Sequence, residues 1–207
     1  MKPNLIAERA AVQARRHHIS RRHLLAAVVA GLASALCCGP VTAQTAASEY
    51  QVKAAFLFNF AKFVDWPPDS LVNPQAPFSI CILGADPFGS AIDDMLRGQT
   101  IRGRAVVVHR MQDAARLRGC RVAFVSASER GRLPRILQAV RGSSVLLVGD
   151  SPGFAAAGGM IQFQTQDNRI RFSINPDAAE RAGLRLSSQL LSLATIIHDS
   201  SERGIGR

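Results

Sequence analysis

The sequence contains few of the side chains that build metal or redox sites: it has 5 His and 4 Cys among 207 residues. Only two residues of each kind lie beyond residue 43, namely His109, His198, Cys81 and Cys120. These four have no metal-ligand spacing. No C-x-x-C motif is present, which argues against thiol–disulfide oxidoreductase chemistry. We therefore predict no metal site and no cofactor, and we assign structural roles to both histidines.

Phosphate-binding loops are also missing, since neither G-x-G-x-x-G nor G-x-x-x-x-G-K-[ST] occurs. The apolar run 24–38 is too short to span a bilayer comfortably. A basic stretch precedes it and Val41-Thr42-Ala43 follows, an order typical of a secretory signal. We expect cleavage after Ala43, with a retained anchor as the alternative. The pair Arg21-Arg22 leaves general secretion and twin-arginine export both open.

Removal of residues 1–43 takes away much of the excess positive charge. The full chain carries +10, whereas residues 44–207 hold 19 basic and 14 acidic side chains, a net charge of +5. The basic residues are scattered and form no dense run, so we predict no nucleic-acid partner. The remaining segments are a polar tether over 44–48, one domain over 49–200 and a disordered tail over 201–207.

The order of the predicted elements indicates the fold class. Helix 49–64 should be largely buried, with Val52, Phe56, Phe60 and Phe63 on one face. The other predicted helices are 87–96, 129–141, 176–183 and 187–198, and the predicted strands are 77–83, 104–109, 121–126, 144–149, 160–165 and 169–174. Apolar strands that alternate with helices predict a single α/β domain with a layered sheet. A hairpin through residues 166–168 makes that sheet mixed, parallel and antiparallel.

Cys81 and Cys120 form an even pair in a chain predicted to be exported, which favours a disulfide. They lie in or beside strands that could be neighbours. Two buried free thiols are the alternative.

Gly149-Asp150-Ser151 at the end of an apolar strand is similar to the nucleophile block of GDS-type esterases. Such an enzyme needs a histidine to accept the serine proton and an acid to orient that histidine. Here the serine comes late in the chain, and Thr195, not an acid, stands three residues before His198. We therefore predict no catalytic residues and keep a serine hydrolase as an alternative.

Four residues are candidates for partner binding: Trp66, Arg171, Asn175 and Arg185. Trp66 is the only tryptophan and follows an aromatic-rich helix. It is either a lid on the core or an anchor for a partner. The other three are either surface hydrogen-bonding groups or binding residues.

Eight segments together resemble the YfiR-type periplasmic proteins: 50–67, 80–84, 86–88, 120–125, 153–154, 158–161, 170–175 and 182–188. The resemblance implies an α/β protein, often dimeric, with a disulfide between the cysteines that match Cys81 and Cys120. It also implies a non-catalytic regulator that represses an inner-membrane diguanylate cyclase through the periplasmic sensor domain of that enzyme. The outcome would be less cyclic di-GMP and less biofilm.

The same resemblance implies a second partner, an outer-membrane, peptidoglycan-associated lipoprotein that sequesters the repressor. Other members carry a second cysteine pair late in the chain. This sequence has none there, so redox control through that second bridge is not expected. A periplasmic small-ligand carrier on a related fold is a further alternative.

Overall fold

A computed structural model describes residues 41–68, 73 and 75–199, with the backbone alone for 41–48. The predicted tail and nearly all of the predicted signal lie outside these residues, so both stay predictions. The described helices are α1 (Val41–Lys62), α2 (Ser90–Leu96), α3 (Leu133–Ala139), α4 (Pro176–Arg181) and α5 (Ser188–Leu191). Two 3-10 helices, Ala114–Gly119 and Ala127–Arg132, stand between strands. None of the helices described is long and apolar enough to cross a membrane.

The strands are β1 (Val64–Asp65), β2 (Phe78–Leu83), β3 (Thr100–Ile101), β4 (Arg104–Met111), β5 (Val122–Val125), β6 (Leu146–Gly149), β7 (Ile161–Gln166), β8 (Arg169–Ile174), β9 (Arg185–Leu186) and β10 (Thr195–Ile196). Eight of them form one sheet in the order β10-β8-β7-β6-β5-β2-β4-β3. Strands β7, β6, β5, β2 and β4 run parallel, whereas β8 and β3 are antiparallel to their neighbours β7 and β4. The predicted α/β class with a mixed sheet is confirmed.

Strand β2 lies between β4 and β5, so the chain winds from β2 first in one direction and then in the other. This arrangement is a doubly wound sheet, in which ligands commonly bind at the carboxyl ends of the strands beside the switch point. Here the loops after β2 and β5 pack directly on each other. The Ala85 amide donates to Ser128 Oγ at 3.0 Å, and a Cβ on Gly84 would lie 2.5 Å from that oxygen.

Helix α1 packs on the sheet through small and aromatic side chains. Phe60 is 1% exposed and contacts the rings of Phe163 and Phe172, with centroids 5.5 and 5.0 Å away. The predicted inward face is only partly correct, because Val52 is 42% exposed. Lys53 points inward instead, since it pairs with carboxylates there. The helix also begins at Val41, so the predicted tether over 44–48 lies within it.

Two predicted helices differ from the structure. The segment 129–141 is divided into a 3-10 helix and α3, because Pro134 suits the first turn of a helix and not its interior. The predicted helix 187–198 is wrong. Only α5 is helical, and β10 then pairs in parallel with β8, with the Ile197 amide donating to Ile174 at 2.8 Å. The β-branched residues Thr195 and Ile196 suit a strand better than a helix.

The predicted hairpin between β7 and β8 is confirmed. Gln166 pairs with Arg169, so two residues form the turn. Asp167 and Asn168 have φ values of 49° and 57°, as a type I′ turn requires. Asp and Asn tolerate this left-handed conformation better than most residues do.

Candidate functional site

The predicted disulfide is present in the structure. Cys81 lies in β2 and Cys120 just before β5, with their Cα atoms 6.0 Å apart. Both side chains are buried. The bridge joins β2 to the start of its neighbour β5. The two cysteines are 39 residues apart in the sequence.

Ser151 has no catalytic partners of the predicted kind. It is 3% exposed after β6. His109 lies on β4, separated from β6 by β2 and β5. His198 follows β10, not a helix as predicted, and its Nδ1 is 3.0 Å from Asp177. Among the described residues, no recorded hydrogen bond joins Ser151 to either histidine, so the geometry does not assemble a Ser-His-acid triad.

Trp66 is only 5% exposed, and its ring meets Phe78 edge to face at 5.3 Å. This burial favours the core lid over an exposed anchor for a partner. Its Nε1 has no hydrogen-bond partner among the described residues.

Asn175 is fully buried, so its hydrogen bonds are internal and not at the surface. Its Oδ1 accepts from the Ala178 amide at 3.0 Å and thereby caps α4. Its Nδ2 donates to the Ala155 carbonyl at 2.9 Å and to Asp199 at 2.7 Å. These bonds fix the C-terminal segment to the sheet.

Arg171 and Arg185 are both exposed and remain available to a partner. Arg171 stands on β8 opposite Gln164, and Arg185 stands on β9 opposite Asp65. Of these two arginines, only Arg185 lies next to another of the four candidates. It stands on β9, which pairs with β1, and β1 ends just before Trp66. The four candidates therefore do not form one site.

An ionic cluster that the sequence did not predict, called the Lys53 cluster below, is formed by Glu49, Tyr50, Lys53 and Asp150. Lys53 Nζ lies 2.7 Å from Glu49 and 2.8 Å from Asp150 Oδ2. The Tyr50 hydroxyl donates to the same Oδ2 at 2.8 Å. The Lys53 and Asp150 side chains are 4% and 9% exposed. The cluster ties α1 to the carboxyl end of β6.

The environment shifts two pKa values within the cluster. Burial lowers the pKa of Lys53, but its hydrogen bonds to Asp150 and Glu49 outweigh that effect, so the pKa is raised. Burial raises the pKa of Tyr50 to about 12, and its hydrogen bond to Asp150 acts in the same direction. At neutral pH the cluster therefore keeps a protonated lysine between two carboxylates and an un-ionised phenol.

A groove of about 550 Å³ adjoins the cluster and is also lined by Gln162, Gln164 and Thr165. Asp150 lines it, and Asp150 Oδ1 is buried without a hydrogen-bond partner among the described residues. A lysine inside an otherwise apolar helix face was the one sequence signal for this cluster. Its acidic partner stands 97 residues away, so the sequence could not supply it.

Comparison with known families gives a match over most of the described chain. The profile of the family described as YfiR/HmsC-like matches residues 50–195. No curated protein matches the sequence.

Proposed function

Because the chain belongs to the YfiR/HmsC-like family, we propose that it binds the periplasmic sensor domain of an inner-membrane diguanylate cyclase and represses that enzyme. Family membership supports the coarser role, a periplasmic regulator of diguanylate cyclase. The single observation that carries the proposal is the family match over residues 50–195. Repression would lower cyclic di-GMP and biofilm formation.

The proposed mechanism is a bias between two states of the cyclase. A regulator shifts such an equilibrium only through different affinities for the two states, and it needs no catalytic groups. A fixed binding surface serves this purpose well. The disulfide between β2 and the segment before β5, together with the buried cluster at α1, supports such rigidity.

The proposal includes export, cleavage near Ala43 and a homodimer as the working form. It also includes an outer-membrane, peptidoglycan-associated lipoprotein as a second partner, which would relieve repression by competing for the regulator. Sedimentation equilibrium of the exported protein tests the dimer, and mass spectrometry of its N-terminus tests the cleavage site. A monomer at all concentrations, or an intact N-terminus, would reject the corresponding part.

A pull-down from envelope extract, with the exported protein as bait, tests the partner. We expect a membrane protein with a periplasmic sensor domain and a cytoplasmic cyclase domain. As a control, protein with both cysteines replaced by serine serves as a second bait. It shows how much partner recovery falls when the fold is weakened. Recovery of a transporter alone would reject the proposed function.

A second candidate function is small-ligand binding, favoured by the groove beside the unpartnered Asp150 Oδ1. Native mass spectrometry of the purified protein tests it directly. A mass increment that disappears in Asp150→Asn would support this candidate. If the spectrum shows no added mass while the protein still binds the cyclase, only the regulatory function is supported. A serine hydrolase has no comparable support, and failure of a serine-directed probe to label Ser151 would reject it.

A further inference from the structure

The groove beside the Lys53 cluster runs along the edge of strand β7. Four consecutive residues of β7, 162–165, line this groove. Successive side chains of a strand point to opposite faces of the sheet. The Phe163 ring packs against Phe60 of α1, so the neighbours of Phe163 point to the opposite face. A groove lined by all four residues therefore follows the strand edge and not one face of the sheet. We call it the β7 groove.

Beyond Gln162, this edge of β7 has no neighbouring strand among the described strands. Strand β6 ends at Gly149, which is paired with Gln162, whereas β8 pairs with the other edge of β7 as far as Gln166. Gln166 and Arg169 close the two-residue turn, so their backbone groups bond to each other. Backbone groups alternate between the two edges along an antiparallel strand, so the N–H and C=O of Thr165 point away from β8. Such an edge can pair with an extended chain.

The β7 groove is also acidic. The carboxylates of Glu49 and Asp150 surround one ammonium group, so the Lys53 cluster holds one negative charge in excess. Lys53 is the one basic side chain among the described residues that line the groove, and its donors and the Tyr50 hydroxyl are directed at these carboxylates. Glu49 is 31% exposed, and Asp150 Oδ1 has no hydrogen-bond partner among the described residues. Acceptors therefore remain for a ligand that brings donors and positive charge.

We propose that the β7 groove binds an extended peptide segment of a partner protein, with a lysine or arginine side chain directed at Glu49 and Asp150. The open strand edge and the carboxylates adjoin each other, because the Thr165 hydroxyl donates to Glu49 at 3.2 Å. The segment adds to β7 through backbone hydrogen bonds to Thr165, and its basic side chain donates to the remaining carboxylate acceptors. A small amine would use the carboxylates alone. The inference rests on the proposed function for the identity of the partner.

Synthetic seven-residue peptides test the proposal with the exported protein. Threonine and valine alternate in each peptide, both ends are blocked, and the central residue is lysine, glutamine or glutamate. We expect the lysine peptide to bind most tightly, with the glutamine peptide weaker by about tenfold, the effect of losing one hydrogen bond between charged groups. Hydrogen exchange followed by NMR provides a second measurement. The Thr165 amide should become protected when the peptide adds to β7 as a strand.

Glu49→Gln should weaken binding of the lysine peptide by about tenfold and leave binding of the glutamine peptide unchanged. The matched control is Glu180→Gln, which removes an exposed acidic group from α4 and should change neither. Thermal unfolding checks that both variants are folded. Two lysine peptides N-methylated on alternate backbone amides, one in each register, keep the positive charge. One of them should no longer bind, because its methyl groups block the edge that faces β7.

Three outcomes would overturn the proposal: no preference for the lysine peptide, unchanged exchange of the Thr165 amide on binding, or equal losses in Glu49→Gln and Glu180→Gln. If butylammonium ion bound as tightly as the lysine peptide, the groove would be a site for small cations and the proposal would also be wrong. The peptides contain no cyclase, so failure here would leave the proposed function untouched. Failure to bind the sensor domain would in turn leave the peptide result intact.

Discussion

At the scale of single residues, Lys53 carries the clearest prediction. Its removal leaves the buried Asp150 carboxylate without its cation, and breaking a buried pair in this way costs about 3 kcal/mol. We therefore expect Lys53→Met to lower the free energy of unfolding by about 3 kcal/mol in urea titrations at neutral pH. The double variant Lys53→Met, Asp150→Asn should lose less, because no charge is then buried alone. A loss below about 1 kcal/mol in the single variant would contradict the role of the ion pair.

Tyr50 provides an optical test of the same cluster, because it is the only tyrosine in the chain. Its pKa is raised to about 12 from an ordinary value near 10. The folded state thus keeps its proton where the unfolded state loses it. The resulting stability is fully present below pH 10 and is lost as the pH rises toward 12. The raised pKa of Lys53 acts in the same direction.

The measurement is the phenolate absorbance of the native protein as a function of pH, compared with that of the urea-unfolded protein. We expect the native curve to lie about two pH units higher. Tyr50→Phe should remove the absorbance change and reduce the loss of stability above pH 10. Coincident native and unfolded curves would show that Tyr50 is not bound to Asp150.

At the scale of elements, the disulfide joins β2 to the segment just before its neighbour β5. Closing a loop of about 40 residues is worth about 4 kcal/mol on the chain-entropy model. We expect the double variant Cys81→Ser, Cys120→Ser to lose roughly this much stability in denaturant titrations, and to lose repression of the cyclase. Replacement of both cysteines avoids a buried free thiol. If unfolding and repression were both unchanged, the bridge would not stabilise the competent fold.

Elements that depend on local sequence were predictable. The apolar run around β2 and the two-residue turn at Asp167-Asn168 were placed within a residue or two. The C-terminal segment was not, because apolar residues around Thr195 fit a helix until β8 offers an edge for β10. The buried face of α1 was mispredicted for a similar reason. Lys53 points inward because it pairs with Asp150, which is distant in the sequence.

The candidate site shows the same division. The cysteine pairing followed from two cysteines in a chain predicted to be exported. The role of Asn175 was left open, because a polar residue after a strand is equally typical of a binding residue and of a helix cap, and here it caps α4. Trp66 was ambiguous, and only packing against Phe78 decides in favour of the core.

At the scale of the whole molecule, the exposed arginines offer a test of the partner-binding face. We expect Arg171→Glu and Arg185→Glu each to weaken binding to the cyclase sensor domain by about tenfold, the effect of losing about 1.4 kcal/mol. Both side chains are exposed, so thermal unfolding should not change. Arg130→Glu, exposed on a 3-10 helix, is the matched control for charge. Equal weakening by all three variants would indicate a general charge effect and no defined face.

The central claim is that this protein represses a membrane cyclase from the periplasmic side. The most direct measurement is cyclic di-GMP synthesis in spheroplasts that contain the cyclase, as purified protein is added outside. We expect a saturable fall in the synthesis rate, absent when the cyclase lacks its periplasmic sensor domain. An unchanged rate at concentrations that saturate the sensor domain would contradict it.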